Sequence, residues 1–409
     1  MPNHPPVVTL DSWRGLNNKH PEERIPENFL AEATNVDVDA GGALRMRKGY
    51  TQVLSGTNCH SLWGDGYDQA FYVDDGTLYR IDPNNTAVKT ELTTGLSSDR
   101  MSYHHVGSSV YYSNGIDSGV ISGDTVREWG IRQPTLQPIL FAGNGLLTAG
   151  TYNVTIRYQA IDGRVSGAAV STDITVGDNA SINLSGMVHS SDPTVSGIQV
   201  FVSTPNGETM YYHGTVPVGI STYSIQGLHG AMVPLDYQFN FPCPGGELIN
   251  DFNGRLYLAR DNVLWYSEPH AFDMWRHDGF IEFEDEITNI MPVDDGIFVT
   301  TDKLYFLEGN GPDLFRPRER EPYRAAKYTG VEIVGGDVVL ENIPTGLKWL
   351  FTSDKGVVMV GTGGMVFNLT EKTCMIDRAE SGAAIFRSKD GINQYVSLLK
   401  DPEADRLHF

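Results

Sequence analysis

The chain has 409 residues and a formal net charge of −21, from 30 basic and 51 acidic side chains. Such a surface repels phosphate, which argues against general nucleic-acid binding while letting DNA slide past without adhering. The three cysteines, Cys59, Cys243 and Cys374, are too few and too scattered for a disulfide framework or a Cys-based zinc site, and they read as buried thiols of a reducing compartment. No run approaches the roughly 18 apolar residues of a membrane helix, so no membrane insertion is expected. The opening "MPNHPPVVTLDSW" lacks the basic segment and apolar core of a secretory leader.

The 44 glycines and 19 tyrosines, set among short apolar runs broken by Gly, Asp and Asn, predict an all-β chain. The best helical candidate is Pro26–Asn35, where Phe29, Leu30 and Ala33 share a face. Next comes "NVDVDAGGALRMRKGY", residues 35–50. Asn35, Asp37 and Asp39 are spaced like the start of a calcium loop, but Ala40 and Met46 stand where that loop needs Gly and Glu. Read as a hairpin, Gly41-Gly42 supplies the turn, Leu44 and Met46 face inward, and Arg45 and Arg47 face outward as candidates for contact with an acidic neighbouring subunit.

Five later segments share one pattern of strand, polar turn and strand: "QAFYVDDGTLYRID", "SSVYYSNGIDSGVIS", "GRLYLARDNVLWYSE", "DGIFVTTDKLYFLEG" and "KGVVMVGTGGMVFNLTE". Phe71 to Val110 spans 39 residues and Leu256 to Ile297 spans 41, against about 40–45 for a four-stranded propeller blade. Ile297 to Val357 spans 60, so that blade carries a long loop, assigned to "GNGPDLFRPREREPY". Val110 to Leu256 spans 146, which leaves room for a β-sandwich beyond one blade.

That intervening text reads as a sandwich. Tyr152, Val154, Ile156 and Tyr158 fall on one face at period two, as do Ile198, Val200 and Val202. The expected fold is a β-propeller of five to seven blades with an inserted fibronectin-III/Ig-like β-sandwich. Residues 1–50 form an N-terminal docking segment, 51–135 the first propeller part, 139–235 the sandwich and 240–409 the second propeller part. The final "DRLHF" reads as a strand that closes the ring.

Chemistry is sparse. Glu282, Glu284 and Glu286 share one face if "IEFEDEITNI" is a strand, and read as a solvated outer row ahead of a glycosidase pair. "TSDKGVVM" matches part of the sialidase turn but has Met359 in place of its Trp. His104 and His105 are adjacent on a strand and point apart, so they cannot chelate one ion. No nucleophile elbow, zinc-protease helix, P-loop or dinucleotide fingerprint is present. No catalytic residue, metal or cofactor is therefore expected. The most basic window, "RPREREPYRAAKY", offers Arg316, Arg318, Arg320 and Arg324 as further subunit-contact candidates.

The N-terminal stretch resembles the opening of the tail hub and nozzle proteins of short-tailed bacteriophages, through Gly15, Leu16, Asn17, Ala33, Asn35, Val36, Asp37, Gly42, Leu44, Arg47, Gly49 and Tyr50. The segments "NGRLYLARDNVLWYSEPHAFDMW", "IMPVDDGIFVTTDKLYFLEG" and "SDKGVVMVGTGGMVFNLTE" are similar to that family in the same order. The resemblance covers about two-thirds of the chain and is nearest the compact, packaged-DNA-stabilisation type. It implies a non-enzymatic virion protein, made in the host cytoplasm and assembled into a hexameric ring below the portal and adaptor. Genomic DNA would pass through that ring, and the sandwich would meet fibres, spikes or neighbouring subunits. The alternatives from the residues themselves are a propeller glycosidase or a glycan-binding protein acting on bacterial surface polysaccharide.

Overall fold

A computed structural model describes residues 12–39, 41–47, 49, 51–82, 84–230, 232–333, 346–376, 378–389 and 392–400. Ala40, Tyr50 and the "DRLHF" strand lie outside the described residues. An N-terminal hairpin, β1 (Val36–Val38) and β2 (Leu44–Met46), precedes two four-stranded sheets. The first holds β3 (His60–Gly64), β4 (Ala70–Asp74), β5 (Thr77–Asp82) and β6 (Asn85–Thr93). The second holds β7 (Ser102–Val106), β8 (Ser109–Ser113), β9 (Ser118–Ser122) and β10 (Thr125–Arg127).

The sandwich follows, with β11 (Ile139–Leu147), β12 (Gly150–Ala160), β13 (Val165–Ala168), β14 (Thr172–Val176), β15 (Ala180–Ser185), β16 (Val195–Ser203), β17 (Met210–Pro217) and β18 (Tyr223–Ile225). One of its sheets is β11-β15-β18; the other is β13-β12-β16-β17, with β14 also on β12. The third propeller sheet has five strands: β19 (Asn240–Phe241), β20 (Leu248–Phe252), β21 (Arg255–Arg260), β22 (Val263–Glu268) and β23 (Ala271–Glu282). The fourth holds β24 (Asn289–Val293), β25 (Gly296–Thr300), β26 (Leu304–Glu308) and β27 (Arg316–Glu319). The fifth holds β28 (Val331–Ile333), β29 (Lys348–Ser353), β30 (Gly356–Gly361) and β31 (Met365–Asn368). A two-stranded sixth sheet is β32 (Ser381–Lys389) with β33 (Ile392–Lys400).

The molecule is all-β, a propeller interrupted by a sandwich. Four of the five repeated hairpins are the second and third strands of one propeller sheet, and the last, β30–β31, is the third and fourth of its sheet. The strands of these hairpins, save β31, are largely buried on both faces, because neighbouring sheets pack against them. Phe71 and Val73 pack with Val110 and Tyr112, while Tyr111 between them turns to Trp129, Leu256 and Trp275 of the next interface. Tyr257 and Ala259 then meet Ile297 and Val299, and Phe298 faces Phe351 and Val360. Leu350 and Met359 end the series against Phe386 and Tyr395 of the sixth sheet.

Hydrogen bonds stitch the first strands together around a common axis. Met101 N–H donates to Ser61 Oγ (2.7 Å), Asn250 Nδ2 to the Ile290 carbonyl (3.0 Å), Gly330 N–H to Asn289 Oδ1 (2.8 Å), and Tyr395 O–H to the Thr329 carbonyl (2.8 Å).

The sandwich follows a different rule. Tyr152, Val154 and Ile156 meet Ile198, Val200 and Val202 in one core between its two sheets. The other face of β12 is also covered: Thr155 Oγ1 bonds to the Ala169 carbonyl, and Arg157 reaches the carbonyl and carboxylate of Asp236. The sandwich is seated on the third propeller sheet at Gly167. A Cβ there would stand 1.9 Å from the Asn240 carbonyl oxygen, so only glycine permits this approach.

Several sequence expectations change. Pro26–Asn35 is a series of turns, because Leu30 pairs with Leu16 and its N–H donates to the Gly15 carbonyl in place of a helical bond. Leu44 and Met46 do not face inward: Met46 is 81% exposed, since the two-stranded β1–β2 hairpin has no sheet over that face. "RPRE" is the outer strand β27 and not a loop, paired to β26 through its backbone. The extra length lies instead in residues 320–330 and in 334–345, the latter outside the described residues. β23 stops at Glu282, so Glu284 and Glu286 belong to a connection in which Phe283 and Ile287 turn inward. Cys59 is exposed, and Cys243 and Cys374 are partly exposed.

Candidate functional site

The connections that enter the first strands bring charge to one end of the axis. Arg100 precedes β7, Glu247 precedes β20, Glu286 precedes β24, and Lys327 and Tyr328 precede β28. Lys327 donates from Nζ to both Glu247 and Glu286, while its backbone joins the sixth sheet through the Glu380 carbonyl and the Gly382 N–H (2.9 Å each). The Arg100 guanidinium lies 4.1 Å from the Tyr328 ring centre and donates to the Gly382 carbonyl. Five successive connections thus meet in one knot.

Electrostatics explains its composition. Burial, the largest influence on Lys327, disfavours its charge, but the hydrogen bonds to Glu247 and Glu286 outweigh it and hold the ammonium above its ordinary range. Burial pushes the Tyr328 phenol up and lowers Arg100, whose guanidinium still stays protonated. The arrangement offers no nucleophile with a base in reach; it neutralises buried charge and locks the ring.

The inner wall carries a second group. His104 Nε2 lies 2.7 Å from Asp251 Oδ1. Burial raises the Glu332 carboxyl, with Asp251 raising it further and His104 opposing. His105 points elsewhere, 3.7 Å from Asp65. Among the described residues no group of three ligating side chains could hold a metal ion.

The subunit-contact arginines fall into two separate groups. Asp39 Oδ1 accepts the Gly41 and Ala43 N–H groups at 2.9 Å each, which closes the hairpin loop. Arg45 pairs with Asp39 (2.9 Å) and Arg47 with Asp37 (2.7 Å), and Asp37 also meets Arg387 of β32 at 3.9 Å. Arg316 and Arg318 stand exposed on β27, and Arg318 pairs with Glu308 at 2.5 Å. Arg320 folds over the Phe306 ring, and the Arg324 backbone exchanges hydrogen bonds with Asp354 of the fifth sheet. Among the described residues, the Arg316 and Arg324 side chains have neither a salt-bridge partner nor a ring partner. The knot itself escaped the sequence, where Arg100, Glu247 and Lys327 carry no motif; only their place ahead of each first strand marks them.

The carboxylates of Glu284 and Glu286 are each paired with a lysine. Glu284 meets Lys303 at 3.7 Å and Glu286 meets Lys327. Asp302 raises the carboxyl of Asp285 beside it. Met359, at the sialidase Trp position, is fully buried in the apolar seam between the fifth and sixth sheets.

No protein family's sequence profile and no curated protein matches the chain. Among solved structures, it is similar at 8% identity to a streptogramin B lyase structure, over 81% of this chain and 91% of that one, with a TM-score of 0.32. It is similar at 11% identity to BBS1N in complex with ARL6DN, over 84% and 89%, with a TM-score of 0.30. It is also similar at 11% identity to the N-terminal domain of Nup159, over 83% and 72%, with a TM-score of 0.28. At these values the likenesses carry no functional argument.

Proposed function

We propose that the chain is a structural protein of a short-tailed phage tail, a hub or nozzle subunit of the packaged-DNA-stabilisation type, without catalytic activity. The observation that carries this reading is where the N-terminal pattern lies. Gly15 and Asn17 exchange backbone hydrogen bonds with Leu30, and the Asn18 N–H donates to the Thr373 carbonyl beyond the fifth sheet. Asp37 and Arg47 pair with each other, and Asp37 reaches Arg387 of the sixth sheet. The residues that carry the family resemblance therefore bind the start of the chain to the last sheets of the ring.

The net charge of −21 suits a conduit wall to which DNA does not adhere. In this reading the subunits form a six-membered ring below the portal and adaptor, and the protein resides in the virion. Negative-stain microscopy of the purified chain, alone and with portal complex, is expected to show six-fold rings around an open channel, and labelled antibody is expected to mark the tail of virions. Unlabelled virions would overturn the reading. If the chain were instead a glycosidase through the 284–286 carboxylates, glycan cleavage by wild type would be lost in Glu284→Gln/Glu286→Gln.

A further inference from the structure

An open cleft of about 580 Å³ lies where the sandwich joins the third propeller sheet, between the turn 237–240 and the outer strand β23. Its size falls within the usual range of small-molecule sites, roughly 300–1,000 Å³.

Two local irregularities build its walls. On β23, Phe280 pairs with Trp265 and Trp275 with Ser267, so residues 276–279 all stand opposite Tyr266 alone. This bulge lifts Arg276, His277 and Asp278 out of the β22 ladder, though Arg276 stays paired with Asn240 of β19, and all three are exposed. Bulges of this kind re-aim side chains beside functional sites. Opposite, Tyr237 adopts φ +53°, an unfavourable conformation for an aromatic residue. The turn it makes leaves Phe239 74% exposed at the rim. Between the walls, Asn240 is only 4% exposed and its Nδ2 has no hydrogen-bond partner among the described residues.

The chemistry of the walls selects the occupant. Arg276 donates from Nε and Nη2 to the two Asp278 oxygens at 2.8 and 2.7 Å, and Glu268, the other carboxylate of the lining, lies 3.9 Å from both Arg276 and Arg255, so the ionic groups are already matched and do not call for a charged ligand. They still present planar donors and acceptors side by side. Phe239 and Tyr237 add ring faces whose negative quadrupole attracts electropositive C–H edges. An unpaired buried amide costs stability, and a ligand hydroxyl at the floor supplies the acceptor it lacks. Aromatic faces, matched donors and acceptors, and no net charge to satisfy are the requirements of a neutral pyranose.

An extended peptide fits less well. The edge of the sheet it would join is taken, since Ala168 N–H donates to the Gln238 carbonyl and Gly167 abuts the Asn240 carbonyl. We infer that this junction cleft is a binding site for neutral hexose units of a saccharide, with Phe239 as the stacking platform and Asn240 and the Arg276–Asp278 pair as the polar contacts. The inference does not depend on the tail-hub reading, and virion labelling tests that reading separately.

The test uses the full chain and saturation-transfer NMR with the methyl glycosides of glucose, galactose, rhamnose and N-acetylglucosamine, together with an array of bacterial polysaccharides. Transfer to the ring C–H protons of at least one glycoside is expected. Phe239→Ala is expected to weaken that binding about tenfold while leaving the unfolding midpoint unchanged, because the ring is exposed. Asp278→Ala, also at an exposed position, is expected to weaken it as well. Absence of binding to every glycoside and polysaccharide overturns the site. So does binding that survives Phe239→Ala, or a peptide library that binds the wild type and is lost in the same variant.

Discussion

The seams between neighbouring propeller sheets and the ties that hold the sixth sheet to the rest of the chain across the ring are built from different materials. Between the first sheet and the sixth, five apolar interfaces follow one another, each with residues drawn from two sheets. At the closing seam the described residues offer no comparable apolar cluster. The polar ties that reach the sixth sheet come from the connection ahead of the second sheet (Arg100 to the Gly382 carbonyl), from the Lys327 backbone ahead of the fifth, and from the N-terminal hairpin (Asp37–Arg387). The outward face of the sixth sheet is correspondingly bare, with Ile385 59% and Leu398 75% exposed. A ring can be locked in two ways: by burial, which is strong and undirected, or by paired charge, which is weaker and specific in geometry.

Substitutions separate the two kinds of seam. Trp275 is fully buried between the second and third sheets, and Trp275→Ala is expected to cost about 4 kcal/mol in urea unfolding. A loss under 1 kcal/mol would show that this interface is not load-sharing in the way its burial implies. Lys327→Ala leaves Glu247 and Glu286 facing each other without their cation, and a loss of about 2 kcal/mol is expected at pH 7. In the wild type the raised Lys327 contributes stability that is complete below its unfolded pKa of about 10.5 and lost as pH rises through its folded value.

Glu332 tests the inner wall with the opposite sign. Its folded pKa lies above the ordinary 4.5, so its contribution is fully present below that pH and lost as pH rises through the folded value. Glu332→Gln is expected to stabilise the protein at pH 7 by up to about 1 kcal/mol, with no difference from wild type at pH 4. An unchanged pH profile would show that Glu332 is better solvated than its surroundings suggest. Arg387→Ala, at an exposed and salt-screened pair, is expected to cost about 0.5 kcal/mol or less, and nothing measurable in 1 M salt.

Much of the propeller was visible in the sequence because its inner hairpins obey local rules. "AFYVDDGTLYRI" has apolar residues on consecutive positions, since both faces of its strands are buried, and the turn carries Asp75 and Gly76 at positive φ. The sandwich was visible for a related reason, with period two marking Tyr152, Val154 and Ile156 as one core face. The failures came where tertiary contact overrode local pattern. Leu30 left a helical register to pair with Leu16, and Met46 lost an inward face because nothing covers the hairpin. The exposed arginines of β27 hid a strand whose backbone is paired to β26.

The sequence by itself therefore determined the strand content, the repeated hairpins and the presence of a second core. Each depends on spacing within about a dozen residues, over which hydrophobic period and turn chemistry act. Only the tertiary structure decided which charges meet. Arg100, Glu247, Glu286 and Lys327 are scattered over more than half the chain, and they converge because closing a ring brings every connection ahead of a first strand to the same end of one axis. The same holds for the cleft, since Asn240 and Arg276 stand opposite each other only once the sandwich returns its chain to the outer edge of the third sheet.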